Sequence, residues 1–228
     1  MSRNMRIIIG LGVVAFIAVI GFALKTEVFD KPGGGADPKV AGVDFKAERI
    51  KPNIGADEMF VGKADAPVTI IEYASLGCPH CANFHHDTYP EIKKNYIDTG
   101  KARLVFRDFP LGTRATAAAM ISHCAGPSKY FGFIDLFFRA QTEWSQAPDA
   151  TQAMMKIARF GNMKTDAVEA CLTNQKMIDK MEASKKVAVD KFGINATPSF
   201  VVNGLVVSGA HSYGDFRKLL DAELAKTK

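Results

Sequence analysis

The stretch Cys78-Pro79-His80-Cys81 sets two thiols two residues apart, and three histidines, His80, His85 and His86, lie within it or just beyond it. Thiols at this spacing can close a disulfide with each other and reopen it, so the chemistry on offer is two-electron thiol-disulfide exchange. Cysteine and histidine are also zinc ligands. A structural zinc site needs four ligands in a tetrahedron, and His85 and His86, four and five residues beyond Cys81 on one helix, cannot easily wrap back to meet both sulfurs. The sequence holds no second Cys-x-x-Cys and no separate His pair. No metal is therefore expected, and His85 and His86 read as helix-surface residues. A Cys78–Cys81 bridge that only staples the fold is the third reading.

The elements around the pair favour redox chemistry. Ala66 to Ser75, "APVTIIEYAS", is apolar, β-branched and bounded by Pro67 and Gly77, which predicts a buried strand. From Pro79 to about Tyr96 the spacing of Cys81, Phe84 and Ile92 predicts a helix, started by Pro79 in its first turn and kinked at Pro90. Cys78 then sits where the free N–H groups of a helix start and the positive end of its dipole stabilise a thiolate, so it is the expected nucleophile. Cys81, one turn further in, is the expected resolving thiol. His80 between them can add positive charge and donate to the Cys78 sulfur.

Ala102 to Pro110, "ARLVFRDFP", reads as a second strand, which makes a right-handed βαβ unit with a parallel pair. Residues 113 to about 192 read as helical throughout, with an Asp149/Gln152 capping box, a stop at Gly161 and an N-cap at Thr165. "TPSFVVNGLVVSG" predicts two strands around an Asn-Gly turn, and "SYGDFRKLLDAELAK" a final amphipathic helix. The fold class is α/β: a βαβ half and a ββα half with an all-helical insertion between them.

Residues 7–24 form an uninterrupted apolar run of 18, preceded by Arg3 and Arg6 and followed by Lys25. That length and flanking charge predict a membrane-targeting segment within residues 1–25, either an uncleaved anchor or a cleaved signal peptide, with the body carried across the membrane. Three consecutive glycines and two prolines in "KPGGGADPKVAG" predict a flexible linker over residues 26–55, and the folded domain is expected over residues 56–228. A 47% hydrophobic and 23% charged composition suits a folded body. The net charge of +5 is scattered and lacks interleaved aromatics, so a nucleic-acid partner is not expected.

Four cysteines behind an export segment imply an oxidising compartment. Cys78 and Cys81 are near enough to pair, which leaves Cys124 with Cys171. That second bridge closes a loop of nearly fifty residues and is worth about 4 kcal/mol by the chain-entropy argument, a structural staple.

"APVTIIEYASLGCPHC", "VFRDFPL" and "INATPSFVVNG" together resemble the DsbA-like branch of the thioredoxin superfamily, the exported thiol oxidases of bacteria, over roughly Ala56 to Leu224. The resemblance implies a thioredoxin-like fold whose cis-proline is Pro198, facing the dithiol and leaving the Thr197 backbone free to pair with an extended substrate. It implies that Glu72 is a buried acid beneath the dithiol that moves a proton to or from Cys81. Implied partners are unfolded or reduced exported proteins and a quinone-linked membrane re-oxidase. The dithiol itself is the only redox group expected, without a cofactor, on the periplasmic side of the bacterial inner membrane. Thr197 departs from the valine of the best-known oxidases and is seen in the isomerase branch. The expected activity is disulfide donation; the alternatives are a disulfide isomerase or reductase, and a peptide-binding chaperone that does not use its dithiol.

Overall fold

A computed structural model describes residue 40, residues 42–45 and residues 47–227. The membrane-targeting segment expected over residues 7–24 lies outside them. Among the described residues no helix is long and apolar enough to cross a membrane.

Five strands form one mixed sheet in the order β1-β3-β2-β4-β5: β1 (Phe60–Gly62), β2 (Val68–Ala74), β3 (Ala102–Asp108), β4 (Ser199–Val202) and β5 (Leu205–Ser208). β2 and β3 are parallel, with Glu72 beside Phe106, while β4 runs antiparallel to β2 and β5 to β4. β2 is apolar almost throughout because both of its faces are covered. Val68, Ile70 and Ala74 join the main core, and Ile71 and Tyr73 join a second cluster with Ala188, Phe192 and Ile194. Strand alternation therefore turns Glu72 to the same face as Ile70 and Ala74. β1 was not anticipated, since three residues carry too little pattern to register as a strand.

The chain from Pro79 to Ile97 is helical but uneven: α1 (Pro79–Asn83), a wide π turn (Phe84–Thr88), α2 (Tyr89–Ile92) and a second π turn (Lys93–Ile97). Pro90 has no N–H to give the preceding turn, and the wide turns on either side of it accommodate the irregularity expected there.

Six helices make up the insertion: α3 (Thr113–Cys124), α4 (Tyr130–Arg139), α5 (Gln141–Ser145), α6 (Ala150–Phe160), α7 (Thr165–Leu172) and α8 (Gln175–Phe192). Asp149 caps α6 by accepting from the Gln152 N–H at 2.9 Å. Thr165 is the first residue of α7 and Lys164 its N-cap, one position earlier than expected. Tyr130, Phe133, Phe137, Phe138 and Trp144 are all fully buried and form the aromatic interior of the insertion. Trp144 donates its indole N–H to the Phe137 carbonyl at 2.8 Å. α9 (Tyr213–Ala225) closes the chain.

The Asn203–Gly204 turn between β4 and β5 has φ of 45° and 89°, the left-handed pair that a two-residue hairpin requires. A side chain on Gly204 would also press on the Ile50 carbonyl, 3.1 Å away. That contact belongs to a wider departure from the expected linker. Val40 and Phe45 are buried in the main core, the Ile50 N–H donates to Gly204, and Arg49 grips both carboxylate oxygens of buried Glu223 at 2.7 and 2.9 Å. The packed body thus reaches N-terminal to Ala56.

A disulfide joins Cys124 at the end of α3 to Cys171 in α7, 47 residues on. Replacing both by alanine should lower the unfolding free energy by about 4 kcal/mol in denaturant titration. A loss below about 1 kcal/mol would contradict a stapling role.

Candidate active site

The site is built at the end of β2, where the chain turns sharply into α1. Ser75 organises that turn. Its carbonyl accepts from the Cys78 N–H at 3.0 Å, and its hydroxyl accepts from the N–H groups of Gly77 and Leu111 at 3.3 and 3.2 Å. Cys78 is the N-cap of α1, extended at φ −88° and ψ 121°, and Pro79 occupies the first turn. Both cysteines are buried and reduced, Cys78 at 6% exposure and Cys81 at 0%.

The two sulfurs differ sharply in acidity. Cys78 is lowered from 9.0 to about 5, chiefly by the Cys81 thiol that donates to it; burial works against this, and the Thr197 side chain and the backbone N–H groups of Cys81 and His80 assist. When protonated, Cys78 Sγ donates to the Thr197 carbonyl at 3.4 Å. When ionised, it offers an acceptor to the Thr197 hydroxyl, a buried group with no other partner among the described residues. Cys81 moves the other way. Burial first, then its bond to Cys78 and the charges of Glu72 and Cys78, push its thiol far above the ordinary range. The reduced pair is thus a Cys78 thiolate held by a Cys81 thiol.

His80 was expected to act through its imidazole. Its side chain is exposed, and what it gives Cys78 is its backbone N–H. The peptide bond between Thr197 and Pro198 is cis, and Thr197 lies against Cys78, so residues 119 positions apart meet at the sulfur. The Pro198 carbonyl accepts from the Gly209 N–H at 2.9 Å, which ties this loop to the end of β5.

Glu72 is fully buried, and both its carboxylate oxygens face His85 Nε2, at 3.0 and 3.1 Å. His85 is therefore not a surface residue: it is buried at 7% exposure and stacked on Phe138, with ring centroids 4.3 Å apart. His86 is exposed. The signal for His85 was available, because position i+4 from a core-facing Cys81 shares its face of the helix. Gln141 was missed altogether. It is buried in the insertion, and its Nε2 donates to the carbonyls of Leu76 and Cys78 at 2.6 and 3.0 Å. This carboxamide bonds the helical insertion directly to the dithiol turn. No motif marks it.

A βαβ unit and a ββα unit in one sheet, a reduced Cys-x-x-Cys at a helix start, and a proline loop against the outer sulfur define a thioredoxin-fold protein equipped for thiol-disulfide exchange. A family model described as thioredoxin matches residues 55–222. The crystal structure of Wolbachia pipientis alpha-DsbA1 is 35% identical, with a TM-score of 0.71, over 78% of this chain and 94% of that one. Disulfide bond formation protein D of Bacillus subtilis is 28% identical over 72% of this chain and 76% of its own. Relatives from Rickettsia bellii and Rickettsia felis are each 27% identical over 92% and 81% of this chain, which spans 77% of the first and 66% of the second. The chain belongs to the DsbA-like branch of the thioredoxin family, the protein-disulfide oxidoreductases.

In the reduced protein, the rate of Cys78 alkylation should titrate with a midpoint near 5. A midpoint at the ~8.5 of a free thiol would contradict the assigned geometry. Gln141→Leu strands a buried carbonyl and should cost about 1–3 kcal/mol of stability in denaturant titration. An unchanged midpoint would mean the two carbonyls find other donors.

Proposed function

We propose that this protein donates its Cys78–Cys81 disulfide to reduced proteins outside the cytoplasm. The observation that carries this reading is the opposite acidity of the two sulfurs, which stabilises the reduced pair and so makes the disulfide a strong oxidant. In the first step a substrate thiolate bonds to Cys78 Sγ. The Cys78–Cys81 bond breaks, its electron pair passes to Cys81 Sγ, and that sulfur takes up a proton. In the second step another substrate thiolate attacks the substrate sulfur of the mixed disulfide. Cys78 leaves as a thiolate, which its low pKa favours. The substrate gains a disulfide, and the protein keeps two electrons and one proton.

In this scheme Cys78 is the sulfur that is attacked and then leaves as a thiolate, and Cys81 is its partner, with Pro79 starting the helix and His80 contributing through its backbone. Glu72 serves the proton of Cys81. Thr197 and Pro198 form the substrate edge, where an extended peptide pairs with the Thr197 backbone, and the exposed Leu111 lies at the rim beside Ser75. Cys124 and Cys171 hold the insertion. An oxidising compartment suits that bridge, and the apolar segment at residues 7–24 would carry the body to the periplasmic side of the inner membrane. Re-oxidation falls to a membrane partner linked to quinone, as the resemblance implies.

The Thr197 hydroxyl beside the sulfur favours a second reading, an isomerase or reductase kept reduced in the same compartment. Equilibration with glutathione decides between them. Disulfide donation predicts a potential near the ~−120 mV of DsbA, and a value near the ~−270 mV of thioredoxin would overturn it. Cys78→Ala should abolish oxidation of a reduced unfolded protein; retained activity would instead identify a chaperone that does not use its dithiol.

A further inference from the structure

The disulfide-donation scheme leaves Cys81 with a proton to acquire, and Cys81 has no exposure to water. Glu72, whose charge reaches it, has none either. Something must bring the proton in. Among the described residues His85 is the hydrogen-bond partner of the Glu72 carboxylate, at 3.0 and 3.1 Å, and it keeps a 7% contact with solvent. Accessibility therefore rises step by step from Cys81 and Glu72 to His85.

The local geometry explains why the three meet. Cys81 and His85 are i and i+4 on one helix face, and β2 points Glu72 at that face. The histidine ring is boxed by Phe138, Phe84, Phe106 and Tyr89, with centroids 4.3, 5.5, 5.9 and 4.9 Å away. An acid and a base placed in such a box cost desolvation, and a well-packed apolar pair is often no less stable. Stability alone thus gives little reason to keep them.

We propose that His85 is the proton-holding partner of Glu72, storing the proton that Cys81 takes when the disulfide is reduced, an inference that rests on the disulfide-exchange reading of the site. As the Cys78–Cys81 bond breaks and its electron pair moves onto Cys81 Sγ, Glu72 passes a proton to that sulfur and takes one from the His85 imidazolium. The neutral imidazole then recovers a proton from water at its exposed edge. Re-oxidation runs the same path outward. His85 acts through Glu72 and is a positioning residue, not one that touches the reacting sulfurs.

Other groups face the pair. From α1 these are Cys81 and Cys78; from α2, Tyr89, which also feels Asp98 and Asp135; from α4, Tyr130, which also feels Asp108. Burial first, then these carboxylates, hold both tyrosines above the ordinary phenol range, so they stay neutral at working pH. Phe106 of β3 and Phe138 of α4 are apolar. Among the described residues that face it, Glu72 and His85 are the groups placed to carry the proton of Cys81.

The test is stopped-flow reaction of the oxidised full-length protein with a reduced dithiol peptide, the rate divided by the peptide's thiolate fraction at each pH. In the wild type this corrected rate should fall as pH rises, because the step consumes a proton that the pair delivers. His85→Phe and Glu72→Leu/His85→Phe should both lose that fall and be at least tenfold slower at the acid end. The double variant leaves no buried charge unpaired, so it remains informative if His85→Phe does not fold. Cys78 alkylation should still titrate near 5 in the variants, since none of the groups that lower it belongs to the pair. A wild-type pH profile in the double variant would overturn the proposal. A wild type that does not oxidise the peptide at all would instead overturn the disulfide-donation reading.

Discussion

Cys78 is the N-cap of α1, and its sulfur is held ionised chiefly by the Cys81 thiol one turn further in, with the Thr197 side chain and the first-turn backbone N–H groups of Cys81 and His80 assisting. Cys81 itself is fully buried next to negative charge. Two chemically identical groups are thereby driven to opposite protonation states by a displacement of one helical turn. The rest of the molecule can be understood as what keeps that displacement fixed.

Three contacts do most of this. Ser75 folds the chain at the end of β2 so that Cys78 meets the helix at its cap position. Gln141 reaches from the insertion to the carbonyls of Leu76 and Cys78, so the helical layer and the dithiol turn cannot shift independently. Burial first and its bond to Cys78 next keep Cys81 a thiol, Glu72 adds to them, and Glu72 is tolerated in the core because His85 pairs with it. The insertion must be rigid for the second contact to matter. Its aromatic interior and the Cys124–Cys171 bridge between α3 and α7 provide that rigidity.

The parts of this arrangement that rest on local chemistry were legible in the sequence. A buried strand, a proline in a first helical turn, an Asp cap on α6 and an Asn-Gly turn each have a short-range physical cause that a run of residues displays. What depends on distant chain was not legible. His85 looks like a surface histidine until the strand that carries Glu72 is placed beneath it. Gln141 sits in an unremarkable polar stretch, and only the fold sets it 65 residues away from Leu76 in sequence yet in contact. The segment before Ala56 has the composition of a tether, but Arg49 meets Glu223 of α9, a pairing that composition does not encode. Thr197 and Pro198 were legible only because their motif resembles one already known beside a dithiol.

The central claim is that the reduced site is stabilised as a Cys78 thiolate. Its folded pKa of about 5 lies below the ordinary 9.0, so the stabilisation is complete above the unfolded value, shrinks as pH falls and is lost below about 5. The disulfide form has no such group to titrate. The most direct test is the unfolding free energy of the reduced and disulfide forms, measured in parallel from pH 4 to pH 8 with the Cys124–Cys171 bridge intact. The reduced form should be the more stable at neutral pH, by a margin that vanishes as pH falls through 5; a disulfide form that is more stable at neutral pH, or a margin indifferent to pH, would contradict it.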